Sequence, residues 1–173
     1  MKTFRLLMLM LLAGSVIATS CKKDDNDDDN GNNNNNNNNN NTTFAMSTTI
    51  DGEDWGTNSM VAVINTNGDE VTITGVGDGN VNSLTITMAS FSGVGTYQIV
   101  DANDNYAAYN IIGTTNVWYA PLGTTGTGVI SVSKFENNVI SGTFSFVGVN
   151  PLDGNSTKTF ANGSFTDVTL TVQ

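Results

Sequence analysis

The sequence predicts an all-β domain, an antiparallel β-sandwich of roughly nine or ten strands, from three observations. Apolar residues alternate with threonine and serine in several runs beyond residue 43. Pairs rich in glycine and asparagine interrupt these runs at short intervals. No segment beyond residue 43 repeats apolar residues at the i, i+3, i+4, i+7 spacing of an amphipathic helix.

Each alternating run places its apolar residues on one face of a strand, where we expect the core. β-branched residues fill the runs and suit a pleated, half-buried surface. The expected core residues, in chain order, are Phe44, Met46, Ile50, Val71, Ile73, Leu84, Ile86, Met88, Ile130, Val132, Phe144, Phe146, Val168, Leu170 and Val172.

Tight turns are predicted between the runs, because glycine and asparagine tolerate positive φ. The turn pairs are Asp51-Gly52, Asn67-Gly68, Asp78-Gly79, Asn137-Asn138 and Asn162-Gly163. One polar and one apolar face per strand fits a sandwich, and it also fits a closed or partly open up-and-down β-barrel, lipocalin-like. The pattern favours the sandwich and leaves the barrel as the alternative.

The N-terminus predicts a secretory signal peptide over residues 1–20. Lys2 and Arg5 give a positive start, the apolar run from Leu6 to Ile17 is 12 residues long, and small residues follow. A membrane-spanning helix needs about 20 apolar residues, so a permanent transmembrane anchor is not expected. The stretch before Cys21 resembles a bacterial lipobox, which implies that Cys21 becomes the lipidated N-terminus of the mature chain.

Residues 21–42 are predicted to form a disordered tether between this anchor and the domain at 43–173. Asn32–Asn41 is an unbroken asparagine run, and such a polar segment cannot bury enough surface to fold. Immediately after Cys21 come Lys22, Lys23, Asp24 and Asp25, in the stretch "KKDDNDDD". This stretch resembles the export signal of surface lipoproteins in the Bacteroidota, and the alternative is a solvated acidic spacer. We therefore expect a lipid-anchored protein of the outer membrane, exposed on the cell surface.

The charge of the domain restricts its partners. Residues 43–173 carry two lysines and 11 acidic residues, so the formal charge is 2 − 11 = −9. A field of this sign disfavours nucleic acid and anionic lipid, and it is compatible with neutral ligands such as glycans.

The composition predicts a non-enzymatic protein without a cofactor or metal. The chain has no histidine, and its single cysteine is Cys21, so imidazole bases, Ser-His triads and thiolate metal sites are excluded. Asp51, Glu53 and Asp54 are interpreted as a solvated hairpin rather than as paired glycosidase carboxylates. The stretch from Asp101 to Asn105 begins like a calcium loop, but it lacks that loop's glycine and distal glutamate, so a polar turn is favoured.

Four aromatic residues are the ligand-binding candidates: Trp118, Tyr119, Tyr106 and Tyr109. Adjacent residues of a strand face opposite ways, so Trp118 and Tyr119 cannot both enter one core. An outward aromatic ring beside polar loops suits sugar binding. The alternative is that Trp118 caps one end of the core while Tyr119 packs at an edge.

Four motifs carry a family resemblance: "IDGEDW" from Ile50, "GTYQI" from Gly95, "ISGTFSF" from Ile140 and "NGSFTDV" from Asn162. In this order they resemble an uncharacterised β-rich lipoprotein domain family of the Bacteroidota, a domain of unknown function. The resemblance implies a fold and a location, and it brings no catalytic or binding residues. We expect a surface-anchored extracellular binding domain, with glycans as one ligand class. The alternative is a structural or adhesin-like protein-interaction component of the outer membrane envelope.

Overall fold

The computed structural model describes residues 43–173 and places them in twelve strands, so the predicted all-β class is confirmed. The strands are β1 Met46–Ile50, β2 Glu53–Thr57, β3 Ser59–Ile64, β4 Val71–Val76, β5 Asn82–Met88, β6 Gly95–Ile99, β7 Tyr106–Ile111, β8 Val117–Ala120, β9 Gly128–Glu136, β10 Val139–Asn150, β11 Ser156–Thr169 and β12 Thr171–Val172. A single 3₁₀ turn at Asp78–Asn80 is the only helical element among the described residues.

All twelve strands belong to one hydrogen-bonded sheet, in which chain neighbours are mostly sheet neighbours. The main order is β12-β3-β4-β5-β7-β8-β10-β11-β1-β2, and β6 and β9 form a branch beside β10. Every pairing is antiparallel except that of β12 with β3. The sheet is curled, which is consistent with the predicted sandwich and with the barrel-like alternative.

Strand β10 is the central element, because it pairs with three other strands. It pairs with β11 along one side, while its other side pairs with β9 over most of its length and with β8 at Val149. The sheet therefore divides into two branches, one through β9 and β6 and the other through β8, β7 and β5.

The two ends of the curled sheet approach each other where β2 leads directly into β3. Trp55 on β2 donates a hydrogen bond from Nε1 to Oδ1 of Asn82 on β5, at 2.7 Å. The Thr57 hydroxyl donates to the Val76 carbonyl on β4. Side-chain hydrogen bonds thus link β2 to β4 and β5, with which it shares no backbone pairing.

The core occupies the concave face, and most of the residues that the sequence pattern assigned to it are buried. Among the predicted residues, Met46, Val71, Ile73, Leu84, Ile86, Met88 and Ile130 have no exposed surface, and Phe144 and Phe146 are 3% exposed. Phe146 stacks on Phe160 with ring centroids 4.0 Å apart. Val172 differs from the prediction: it is 57% exposed, because the chain leaves the core after Leu170.

The predicted turn at Asn162-Gly163 is instead a bulge inside the continuous strand β11. Asn162 has φ of 54°, and the register between β10 and β11 shifts between Phe144 and Phe146. Asparagine and glycine tolerate positive φ in a β-bulge as well as in a turn. The same residue pair can therefore mark either feature, and here it marks a bulge. The signal peptide, the tether, Cys21 and the export signal at Lys22, Lys23, Asp24 and Asp25 lie outside the described residues.

Candidate functional site

The four candidate aromatic residues divide between the two faces of the sheet. Trp118 and Tyr109 face the core, where they are 9% and 6% exposed. Tyr106 and Tyr119 alternate with them along β7 and β8, so they lie on the outer face, and both are half-buried.

Trp118 is fixed at the edge of the core by contacts on several sides. Its Cβ and backbone pack against Gly148, where an added Cβ would lie 2.9 Å from the Trp118 Cβ. Its Nε1 donates to the Ser156 hydroxyl at 3.3 Å. Lys158 Nζ lies 4.9 Å from the ring centroid and forms a 3.1 Å ion pair with Asp51. Trp118 is therefore a buried residue that anchors β8, the strand that carries Tyr119 on its opposite face.

Tyr109 is a core residue rather than a ligand contact. Its ring lies 5.4 Å from that of Phe160 and 6.2 Å from that of Trp118, centroid to centroid. Burial raises the pKa of the Tyr109 phenol. Its side chain is therefore shielded from solvent beneath the outer face.

Tyr119 lies on the outer face between two small, buried neighbours. It pairs with Ala108 on β7 and with Val149 on β10, which are 5% and 4% exposed. Tyr106 lies two residues before Ala108 and therefore faces the same way. The result is a band of tyrosine, alanine and valine across β7, β8 and β10.

A shallow concavity of about 440 Å³ adjoins this band at Val149. Two loops enclose it: residues 121–127, closed by paired backbone hydrogen bonds between Leu122 and Gly126, and the turn 151–155. Its lining combines apolar surface from Leu122, Val149 and Pro151 with polar groups from Thr124, Thr125 and Asn155. We call the band and the concavity together the tyrosine face.

Sequence reasoning found the two outward tyrosines but not the concavity beside them. The loop sequences "PLGTTGT" and "PLDGN" carry turn-forming glycine and proline, which predict loops without saying that the two loops meet. Their meeting depends on β8 and β10 being neighbours, a contact between distant segments of the chain.

The tyrosine face lies at the far end of β1 from the start of the described chain. Ala45 contacts Asn58 and Thr166 at one end of β1. At the other end, Asp51 accepts a hydrogen bond from Thr159, beside the turn 151–155. The five residues of β1 separate the two ends by about 17 Å, at about 3.4 Å per residue.

The carboxylates that the sequence analysis interpreted as a solvated hairpin and a polar turn have structural partners or face solvent. Asp51, Glu53 and Asp54 lie exposed on the β1–β2 hairpin. A hydrogen bond from the Thr159 backbone, aided by Lys158, lowers the pKa of Asp51. In the stretch from Asp101 to Asn105, the Asn105 side chain is buried and forms hydrogen bonds with the backbones of Ala89 and Gln98. Within residues 43–173 no group of three or more acidic, histidine or cysteine residues could hold a metal ion.

An all-β domain with an open, tyrosine-bearing outer face is the class that this fold and site define. The family model described as "Domain of unknown function (DUF6252)" matches residues 32–169, and the chain belongs to that family. No curated protein and no solved structure matches the chain. Among residues 43–173, no helix is both long and apolar enough to cross a bilayer.

Proposed function

We propose that this chain is a non-enzymatic binding domain for neutral glycans, and that the tyrosine face is its binding site. The observation that carries the proposal is the position of Tyr119. Its half-buried ring lies on an outer face, beside Val149, the residue that also lines a concavity with a hydroxyl and amide rim. An aromatic ring covers the apolar face of a sugar, and the rim groups can bond its hydroxyls.

The charge of the face agrees with a neutral ligand. The residues of the band and the concavity named above include no acidic or basic side chain. The surrounding domain has a formal charge of −9, which repels anionic polymers before they reach the face.

We further propose that the chain is a surface lipoprotein of the Bacteroidota type, anchored to the outer membrane through lipid on Cys21. The support is the sequence around Cys21 and the export-like stretch after it.

The anchor is tested by Cys21→Ala in cells. We expect the wild-type chain in the membrane fraction and the variant in the soluble fraction, with protease on intact cells removing only the wild-type domain. A wild-type domain that resists protease on intact cells would indicate a periplasm-facing protein instead.

The binding function is tested by titrating the purified chain with neutral oligosaccharides in a calorimeter. Against a sugar that binds wild type, Tyr119→Ala should weaken affinity at least about tenfold, or ~1.4 kcal/mol, while its melting temperature stays near that of wild type. Tyr119→Phe keeps the ring and should retain most of the affinity. If no neutral glycan binds, or if Tyr119→Ala binds as wild type does, the assignment of this face is wrong.

A structural or adhesin-like role is the second candidate, favoured by Val61. This valine on the outer face of β3 is 64% exposed; it pairs with the uncharged Thr74 of β4, and β12 pairs with β3 only at Val63 and Ile64, beyond this position. A protein partner would cover such a residue. Under this role, Val61→Lys would reduce attachment of cells to their substratum while Tyr119→Ala would leave it unchanged.

A further inference from the structure

We infer that the ligand of the tyrosine face is a linear neutral glycan that runs along β10 into a second binding concavity. This inference rests on the proposed function and deepens it, because it specifies a chain of linked sugars rather than a single terminal sugar. Three features of the outer face support it: a second concavity, a continuous track between the two, and the chemistry of that track.

The second concavity has a volume of about 500 Å³ and lies across β9, β10 and β11. Its polar lining consists of Ser131, Thr143, Ser145, Asn162 and Ser164. Thr143 lies at its centre, paired with Ser131 on one side and with Ser164 on the other. Hydroxyl groups from three adjacent strands therefore point to one place.

The bulge in β11 shapes this concavity. Asn162 is exposed and has φ of 54°, so it projects from the regular surface of the sheet. Gly163 beside it is buried against Phe144, and an added Cβ would lie 2.5 Å from that ring. The strand is therefore pressed inward at Gly163 and raised at Asn162, which produces a depression with an amide at its rim.

Strand β10 connects the two concavities without interruption. Val149 lies in the first concavity, Thr143 and Ser145 lie in the second, and Val147 lies between them on the same face. Six residues of strand separate Val149 from Thr143, or about 20 Å. A single sugar cannot cover that span, whereas a chain of several linked sugars can.

The track along β10 is uncharged and rich in hydroxyls. On β11, Thr157 and Thr159 pair with Val149 and Val147, and both threonines are exposed. At the far end of the track, the Ser164 and Ser47 hydroxyls lie 3.0 Å apart. Serine and threonine both donate and accept hydrogen bonds, as sugar hydroxyls do. Because the domain has a formal charge of −9, it repels anionic ligands, and an uncharged track suits a neutral ligand.

The test is the dependence of affinity on chain length. The purified chain is titrated with neutral homo-oligosaccharides, from the monosaccharide to the hexasaccharide of glucan, mannan and xylan. We expect affinity for one series to rise at least tenfold once the oligomer is long enough to reach both concavities. Thr143→Arg should remove this gain and leave the affinity for short oligomers unchanged. Thr169→Arg, the same change at an exposed β11 threonine outside the track, should bind as wild type does.

The outcomes separate the two proposals. Binding without any dependence on length overturns the extended track and keeps the tyrosine face. A length-dependent gain that survives Thr143→Arg also overturns the track. Failure of every oligosaccharide to bind overturns both, whereas a gain lost only in Thr143→Arg supports both. Melting curves of each arginine variant show that a change in affinity is not a loss of folding.

Discussion

At the scale of single residues, Asn105 joins the two branches of the sheet through one buried amide. Its Oδ1 accepts the Ala89 N–H after β5, and its Nδ2 donates to the Gln98 carbonyl on β6, both at 2.9 Å. Replacing it with alanine leaves both backbone groups without this partner, at a cost of about 1–3 kcal/mol for each buried group that stays unpaired.

We therefore expect Asn105→Ala to lower the free energy of unfolding by at least ~1 kcal/mol, measured by urea denaturation. Asn103→Ala is the matched control, since Asn103 is exposed in the same loop. Equal urea midpoints for the two variants would show that the amide does not hold the branches together.

Asp51 gives the stability of the domain a dependence on pH. The Thr159 backbone N–H and Lys158 lower the pKa of its carboxyl below the ordinary value, against a smaller opposing effect of burial. A depressed pKa means that folding favours the carboxylate. The stabilisation is complete above the pKa of the unfolded chain, about 3.9, and is lost as pH falls through the lower folded value.

We expect Asp51→Asn to lower stability near neutral pH and to flatten the acid limb of the stability curve. Asparagine also tolerates the φ of 53° at this position, so the change isolates the charge. The measurement is the melting temperature of wild type and variant from pH 7 to pH 3. Asp54→Asn removes one negative charge from the same hairpin and serves as control. Parallel curves for wild type and Asp51→Asn would contradict the assignment.

At the scale of elements, the close approach of β10 to its neighbours depends on glycine. A Cβ on Gly142 would lie 2.3 Å from the Ser131 carbonyl oxygen and 2.6 Å from the Phe165 ring. The first of these contacts is with backbone, so relief requires β9 and β10 to separate. Gly142→Ala should therefore destabilise the domain by roughly 1–3 kcal/mol.

Gly95→Ala in β6 is the matched control for Gly142→Ala. No atom lies within 4 Å of a Cβ built there, and alanine restricts the unfolded chain more than glycine does. We expect no loss of stability, or a small gain, in the same chemical denaturation experiment. A loss at Gly95 as large as that at Gly142 would mean that packing is not what requires glycine in β10.

Elements are also the scale at which the sequence was most informative. Strict alternation identified the buried faces of β4, β5, β9 and β10, because burying one face of a sheet requires a period of two. The alternation of Trp118 and Tyr119 likewise predicted that one would face outward. The pattern did not give the branching at β10 or the meeting of two loops at Val149, since both depend on which distant strands pair. The strand count is twelve rather than nine or ten. The two-residue strand β12 is too short to show alternation, and β3 carries the apolar Val61 and Val63 on its outer face, which hides its alternation.

At the scale of the whole molecule, the residues that line the two concavities are uncharged, and the acidic side chains lie mainly in the surrounding turns. Two of these carboxylates lie close to the proposed site: Asp153 belongs to the turn 151–155 beside the first concavity, and Asp51 accepts a hydrogen bond from the Thr159 backbone beside the track. Long-range repulsion from the turns is screened by salt over about 10 Å at 0.1 M ionic strength. Contacts between uncharged groups are not screened in this way.

Binding of a neutral glycan should therefore change little with ionic strength, whereas an acidic glycan of similar length should bind weakly or not at all at low salt. We would compare a neutral hexasaccharide with a galacturonate hexasaccharide by calorimetry at low and high sodium chloride. The same titrations are made with the wild-type chain and with Thr143→Arg. The added positive charge of the variant should improve binding of the acidic sugar at low salt alone. Preference of the wild-type chain for the acidic sugar at low salt would show that the field of the molecule does not select the ligand.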